Sequence, residues 1–191
     1  QISGVADDVG WGMTVDATGA MFITGEFSDI ADFDPGAGTY FLDAAQYPDA
    51  FVLKLDNAGN FAWAKQFAGA GSPNSSSRGF CIALDNLGNV YSTGDFTGGV
   101  DFNPGPITNI LNTTALEDTY ISKLNSNGDF VFAVPLAGST YTECSSMLVN
   151  QQRDIIMTGL WLNTTDFDPT PNVFNLTSAG LSDAFVLKLS Q

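Results

Sequence analysis

Three short acidic strings have the residue types and the spacing that could support chemistry. Asp-Phe-Asp-Pro-Gly occupies residues 32–36, and it returns as DFNPG at 101–105 and as DFDPT at 166–170. In an extended segment, residues two apart point to the same side, so each string presents two oxygen-bearing side chains together. The candidate metal ligands are Asp32, Asp34, Asp101, Asn103, Asp166 and Asp168.

Calcium, turn formation and catalysis are the three roles to weigh for these pairs. Carboxylate and amide oxygens beside an exposed turn suit Ca²⁺. Asp or Asn before proline also fixes a turn, with Phe33, Phe102 and Phe167 buried between sheets, and we favour this structural role. A catalytic pair needs two carboxylates across a cleft in different environments, whereas these pairs are local and repeated. We therefore predict no enzymatic activity and no required cofactor, with calcium as the alternative.

The composition narrows the classes of partner. The 191 residues include 21 acidic and 6 basic ones, a formal net charge of -15 that disfavours nucleic acid and anionic membranes. Histidine is absent, which excludes a His-based triad and the commonest zinc ligand. No apolar run approaches the roughly 20 residues of a membrane span. The first residues, QISGVADD, lack the features of a signal peptide, as those of a processed or excised chain would.

One unit is repeated three times along the chain. Gly25, Gly94 and Gly159 end the strings MFITG, VYSTG and IIMTG, at spacings of 69 and 65 residues. The first Asp of each acidic string and the Asp that opens DAFVLKL, DTYISKL and DAFVLKL keep the same spacings. Three landmarks in one register predict a single repeat array over residues 1–191, with approximate repeats 1–60, 61–129 and 130–191.

The hydrophobic period within a unit is two, which predicts β-strands. In NFAWAKQF the large residues Phe61, Trp63 and Phe67 share one face. Each unit contains four strands of this kind, with turn residues between them. Four-stranded antiparallel sheets repeated every 65–69 residues predict an all-β fold of β-propeller blades. A β-solenoid or a sandwich array is the alternative, although solenoid coils are usually shorter.

The strings DATGAMFITG, DFDPGAGTYFL and DAFVLKLDNAGNFAWAKQFAG, with their second and third copies, resemble the SBBP-type bacterial β-propeller repeats. The resemblance covers essentially the whole chain. It implies a secreted or surface-anchored bacterial protein, often very large, with no assigned chemistry and hence no catalytic residues. The third copy departs from the pattern, because NQQRDIIMTG lacks the D-x-x-G turn and DFDPT lacks the glycine.

Three blades are too few for a closed propeller, which needs four to eight. QISG at 1–4 aligns with QFAG at 66–69, so the three units contain only two complete aromatic strands. Three explanations remain: a piece of a longer protein, which we favour; identical copies joined head to tail as a six-bladed ring or a filament; or a partner strand. We expect an apolar blade face at one end that contacts another chain or missing sequence.

Other residues receive more modest predictions. Asp49, Asp118 and Asp183 are expected to accept hydrogen bonds from turn amides, and Lys54, Lys123 and Lys188 to lie along the blade or pair with aspartates. Trp161, in a predicted loop, is the best candidate for an exposed aromatic that contacts a ligand. Cys81 and Cys144 lie at different offsets within their repeats, so we expect two buried free thiols rather than a disulfide.

These observations predict a non-enzymatic extracellular structural or interaction module that acts through self-association or surface recognition. Its partners would be copies of itself or flanking repeats, with an extracellular glycan as a further option, and its location secreted or at the cell surface. The alternative is a calcium-dependent carbohydrate-binding module that uses the loop aspartates and Trp161.

Overall fold

The computed structural model describes residues 1–45, 47–70, 74–114, 116–138 and 140–191. Over these ranges the chain forms antiparallel sheets and no helix, so the predicted all-β class is confirmed. No helix of the described residues is long and apolar enough to cross a membrane. The strands are β1 (Ser3–Gly4), β2 (Asp8–Val15), β3 (Met21–Phe27), β4 (Ile30–Asp32), β5 (Phe41–Asp43), β6 (Asp49–Leu55), β7 (Phe61–Gly69), β8 (Ser76–Ser77), β9 (Cys81–Leu84), β10 (Val90–Thr97), β11 (Gly99–Asp101), β12 (Ile110–Asn112), β13 (Asp118–Leu124), β14 (Phe130–Leu136), β15 (Tyr141–Val149), β16 (Ile155–Asp166) and β17 (Asn175–Leu189).

Three sheet units follow one another along the chain. The first unit has the strand order β2-β3-β6-β7, and the second has β9-β10-β13-β14. The third unit is β15-β16-β17, and within the described residues no fourth strand pairs with β17. The arrangement explains why β6 and β13 are largely buried on both faces, because each is a central strand covered from both sides.

Gly25, Gly94 and Gly159 occupy equivalent positions in the three units. Each lies on the second strand, opposite Phe51, Tyr120 and Phe185 of the third strand. A Cβ atom at these glycines would lie 1.9, 1.8 and 1.9 Å from the backbone carbonyl oxygens of Val9, Arg78 and Glu143. Glycine is therefore required here by the close approach of two backbones.

The hairpin turns between strands share one side-chain cap. An Asp or Asn carboxyl or amide Oδ1 accepts the N–H of the residue four positions on, at distances of 2.8–3.0 Å. The capping residues are Asp16, Asp56, Asp85, Asn125 and Asn150. In four of these turns the third residue after the capping residue is a glycine with positive φ. In the turn of the third unit this position is occupied by Arg153, with φ 68°. The turn that appeared to be missing from NQQRDIIMTG is thus present.

A short hairpin in each unit pairs with the end of the fourth strand of the preceding unit, or with its equivalent. Gly69 of β7 pairs with Val100 of β11, and Gly138 pairs with Thr165 in the same way. β1 repeats this contact, since Gly4 pairs with Ala31 of β4. We call these three contacts the clasps. β1 therefore takes the place of a fourth-strand tail ahead of the first unit, as the alignment of QISG with QFAG predicted.

The hydrophobic core is divided among the joints between units. One cluster joins Phe22, Val52 and Phe67 of the first unit to the second, and another joins the second unit to Met157 and Phe185 of the third. Each unit also contains a trio of aromatic residues in edge-to-face or tilted contact, with Phe33, Phe102 or Phe167 at its centre. These three Phe side chains are buried, as the turn interpretation of the acidic strings requires.

Candidate functional site

The first aspartate of each acidic string holds its hairpin closed. Asp32 Oδ1 accepts the N–H of Asp34 at 3.0 Å and that of Tyr40 at 2.8 Å. Asp101 does the same for residues 103 and 109, at 3.0 and 2.7 Å, and Asp166 for residues 168 and 174, at 3.0 and 2.8 Å. One carboxylate oxygen therefore satisfies two backbone donors in every unit.

The second residue of each string caps the turn that follows. Asp34, Asn103 and Asp168 accept the N–H two residues on, at 2.8, 2.9 and 2.9 Å. An amide oxygen at 103 performs the same task as the carboxylates at 34 and 168, which shows that the bond needs an acceptor and no charge. The described residues hold no group of three or more acidic or cysteine side chains arranged to bind a metal ion. Calcium binding at these pairs stays a prediction.

Trp161 lies in the core and not in an exposed loop, so that expectation is wrong. It continues β16, at the position equivalent to Phe27 and Phe96, and only 7% of it is exposed. Its ring meets Phe167 and Phe185 at centroid distances of 5.5 and 6.4 Å. The predicted loop GLWLNTTDF is strand because β16 runs on through it to Asp166.

The aspartates at the start of the third strands, Asp49 and Asp118, join the third strand to the end of the fourth strand of the same unit. Asp49 accepts the N–H of Gly69 at 3.0 Å and the amide of Gln66 at 2.6 Å, and Asp118 accepts the N–H of Gly138 at 2.9 Å. Burial raises the pKa of Asp49 to about 6, against the effect of these bonds. Asp183 accepts the N–H of Ala179 at 2.7 Å, so the predicted acceptance of backbone amides is confirmed at all three positions.

The lysines of the third strands lie along the sheet or pair with aspartates, as predicted. Lys54 Nζ lies 5.0 Å from the ring centroid of Phe22, and Lys123 Nζ lies 4.8 Å from that of Tyr91. Lys188 forms an ion pair with Asp154 at 2.7 Å.

A polar cluster around Arg78 spans the joint between the first two units. Its guanidinium lies 3.2 Å from Glu26 of the first unit, and 3.3 and 3.6 Å from Asp95 and Glu117 of the second. Three carboxylates thus share one cation, and the cluster joins two sheets electrostatically. Because Arg78 is 43% exposed at its side chain, the contribution of these pairs to stability is modest.

Asp95 is the unusual member of this cluster. Burial raises its pKa to about 8, and a hydrogen bond with Glu117 and the negative charge of that residue act in the same direction. Tyr141 of the third unit donates a hydrogen bond to Glu143 nearby, and burial raises the pKa of this phenol. A protonated carboxyl and a phenol are potential proton donors, but Asp95 is hydrogen-bonded to Glu117 and Tyr141 to Glu143.

The repeat pattern did not predict this cluster. Glu26 and Asp95 both follow the landmark glycine, which is the one signal that marked them in advance. Arg78, one of six basic residues, stands at a different point of its unit, and its convergence with Glu26 depends on how two sheets stack.

The two ends of the array expose surfaces that are covered inside it. On the third strand, Val52 and Ile121 are fully buried at the joints, whereas the equivalent Val186 is 81% exposed. On the first strand, Ile82 and Met147 are 7% and 9% exposed, whereas the equivalent Met13 is 65% exposed. We name the surface around Thr158, Ala184 and Val186 the trailing face, and that around Met13 and Val15 the leading face.

No family model and no curated protein matches the chain.

Proposed function

We propose that the chain is a non-enzymatic structural and interaction module made of propeller blades, and that it associates head to tail with copies of itself. The observation that carries this proposal is the trailing face. Thr24 and Thr93, like Val52 and Ile121, have no exposed surface at the two internal joints, while Thr158 and Val186 are exposed. An apolar strand surface of this kind is stabilised by a further sheet of the same type.

The leading face is the complement that the trailing face needs. Ile82 and Met147 cover the preceding unit at the internal joints, and Met13 is their equivalent in the first unit. A contact between Val186 of one copy and Met13 of the next would therefore repeat a joint already present twice. Such a contact uses two different surfaces, so it closes as a ring or continues as a filament.

The clasp supplies the register for this contact. Within the first and second units, Asp49 and Asp118 of the third strand accept the N–H of Gly69 and Gly138 at the end of the fourth strand, while Gly4 occupies the same place on β1. We expect Asp183 of one copy to accept the N–H of Gly4 of the next. The unpaired edge of β17 would then be extended by β1 of the neighbour.

A secreted or cell-surface location forms part of this proposal and follows from the family resemblance. The strongly acidic surface, with a net charge of -15, favours solubility and opposes contact between copies at low ionic strength. Calcium binding by the paired acidic residues is a second proposal, in which the buried Trp161 has no part, and thermal stabilisation by millimolar calcium that EDTA abolishes would support it.

Light scattering on the 191-residue chain tests self-association. We expect the wild type at micromolar concentration in 150 mM salt to show a multiple of the 20.2 kDa monomer mass. Val186→Asp should give the monomer, because it places a charge in the joint. Leu87→Asp is the matched control, since Leu87 is an exposed apolar residue in a turn, and it should behave as the wild type. A monomeric wild type would overturn self-association and leave the faces to flanking repeats.

A further inference from the structure

The two cysteines meet across the joint between the second and third units. Cys81 lies on β9 and Cys144 on β15, the first strands of two different sheets. Both are free thiols, and the Cys81 sulfur lies 3.7 Å from the carbonyl oxygen of Cys144. Each thiol also shifts the pKa of the other, as expected for side chains that face each other across the joint.

The different offsets of the cysteines explain this meeting. Cys81 pairs with Thr93, one position before the landmark glycine of its unit, whereas Cys144 pairs with Gly159, the landmark glycine itself. Equivalent positions in stacked sheets point in the same direction, but a shift of one position lets two side chains approach across the joint. The offset that argued against pairing is thus what brings the Cys81 side chain to Cys144.

The two thiols are chemically unequal. Cys81 is half-buried, and its hydrogen bond with Cys144 lowers the pKa of its thiol. Cys144 is fully buried, and its hydrogen bond with Cys81, together with burial, raises its pKa. Cys81 is therefore the accessible thiol that forms a thiolate first, and the thiolate is the reactive species.

We propose that Cys81 and Cys144 are a redox site that closes into a disulfide between the second and third units. The Cys81 thiolate attacks one sulfur of a low-molecular-weight disulfide, forms a mixed disulfide and releases one thiol. Cys144 then loses its proton and attacks the Cys81 sulfur, which releases the second thiol. Two protein thiols are oxidised, and one small disulfide is reduced to two thiols.

The disulfide would link the third unit, which has the most exposed sheet face, covalently to the second unit. The third unit has three strands, and its trailing face is open. A disulfide between residues 81 and 144 closes a loop of more than sixty residues in the unfolded chain. The chain-entropy model then predicts a rise in Tm of about 10 °C for a protein of this size.

Incubation of the purified chain with oxidised glutathione tests this proposal. We expect loss of both free thiols, a Cys81–Cys144 peptide in a non-reducing digest, and a Tm about 10 °C above that of the reduced chain. Cys144→Ser should instead retain one glutathione on Cys81, and Cys81→Ser should leave the buried Cys144 unmodified. Neither variant should gain stability.

Two outcomes would overturn the proposal. One is a wild-type chain that keeps both thiols titratable after prolonged exposure to oxidised glutathione. The other is a wild-type chain that stops at the glutathione adduct on Cys81, since the neighbouring thiol would then be out of reach. The measurement on the wild type decides the question even if a serine variant folds poorly.

Discussion

Arg153 adopts a backbone conformation that glycine adopts in the equivalent turns. Its φ is 68°, while Gly19, Gly59, Gly88 and Gly128 have φ between 77° and 88°. A left-handed conformation costs a residue with a Cβ atom about 1 kcal/mol relative to glycine. The third unit keeps its turn in spite of this cost, because Asn150 caps the turn with its amide oxygen at 2.8 Å.

Arg153→Gly should therefore stabilise the protein. We expect the free energy of unfolding to rise by about 1 kcal/mol, measured by urea denaturation. Arg153→Ala is the control, because it removes the same charge and keeps the Cβ atom, and it should give no gain. Equal stability of the two variants would mean that the charge and not the backbone conformation determines the effect.

Asp95 and Asp49 give the protein an uncommon dependence on pH. An unfolded aspartate ionises near pH 4, whereas Asp95 keeps its proton until about pH 8 and Asp49 until about pH 6. Between these values the folded state binds more protons than the unfolded state. The free energy of unfolding therefore falls as the pH rises from about 4 to 8. Carboxylates with a lowered pKa, such as Asp85, act in the opposite direction only at more acidic pH.

Asp95→Asn should remove most of the decline between pH 6 and 8, because the amide stays neutral throughout. In the wild type we expect the free energy of unfolding, from urea titrations at several pH values, to fall by at most about 1.4 kcal/mol per pH unit between pH 6 and 8, where Asp95 alone of the two titrates. Asp7→Asn, at an exposed carboxylate, should keep the wild-type slope. An Asp95→Asn variant with an unchanged slope would show that Asp95 ionises as an ordinary aspartate.

At the scale of elements, the acidic strings are the hairpins that clasp neighbouring units. Asp101 closes its hairpin through the N–H groups of residues 103 and 109, and β11 of that hairpin pairs with β7. An oxygen acceptor is needed for this role, whereas calcium would require the negative charge. Amide and alanine substitutions separate the two roles.

We expect Asp101→Ala to lower the free energy of unfolding by about 1–3 kcal/mol, since two amide N–H groups lose their acceptor. Asp101→Asn should cost much less, because its Oδ1 replaces the carboxylate oxygen. Thermal unfolding in millimolar calcium and in EDTA measures both effects. A calcium-dependent rise in Tm that is smaller in Asp101→Asn than in the wild type would contradict a purely structural role.

The periodic elements were predictable, and their extensions were not. Alternation of large and small residues in DAFVLKL and NFAWAKQF was sufficient to predict β6 and β7, because a period of two admits no other regular structure. Strand β16, by contrast, runs twelve residues through Trp161, since its partner β17 is longer still, at fifteen residues. The length of a strand depends on the strand beside it, which local residue types do not reveal.

At the scale of the whole molecule, the repeat pattern predicts contacts between equivalent residues but not the contacts between non-equivalent residues at the joints between sheets. The spacing of Gly25, Gly94 and Gly159 places equivalent residues in equivalent positions, so the apolar ends were predictable. The cluster around Arg78 and the pair Cys81 and Cys144 arise where non-equivalent residues of different sheets converge. Such meetings depend on the stacking geometry, which the repeat pattern does not contain.

Head-to-tail association of copies depends on the complementarity of the leading and trailing faces. Each internal joint combines the surface around Val52 or Ile121 with that around Ile82 or Met147. Met13→Asp removes the leading face of a copy, and Val186→Asp removes the trailing face. In a head-to-tail assembly every contact needs one face of each kind, so either variant alone should be monomeric.

Mixing these two variants at equal micromolar concentrations and measuring the mass by native mass spectrometry is the most direct test. We predict a heterodimer that contains one copy of each variant, because the Val186→Asp copy retains its leading face and the Met13→Asp copy retains its trailing face. A mixture that contains monomers alone, or one variant that forms dimers with itself, would contradict head-to-tail stacking of equivalent units.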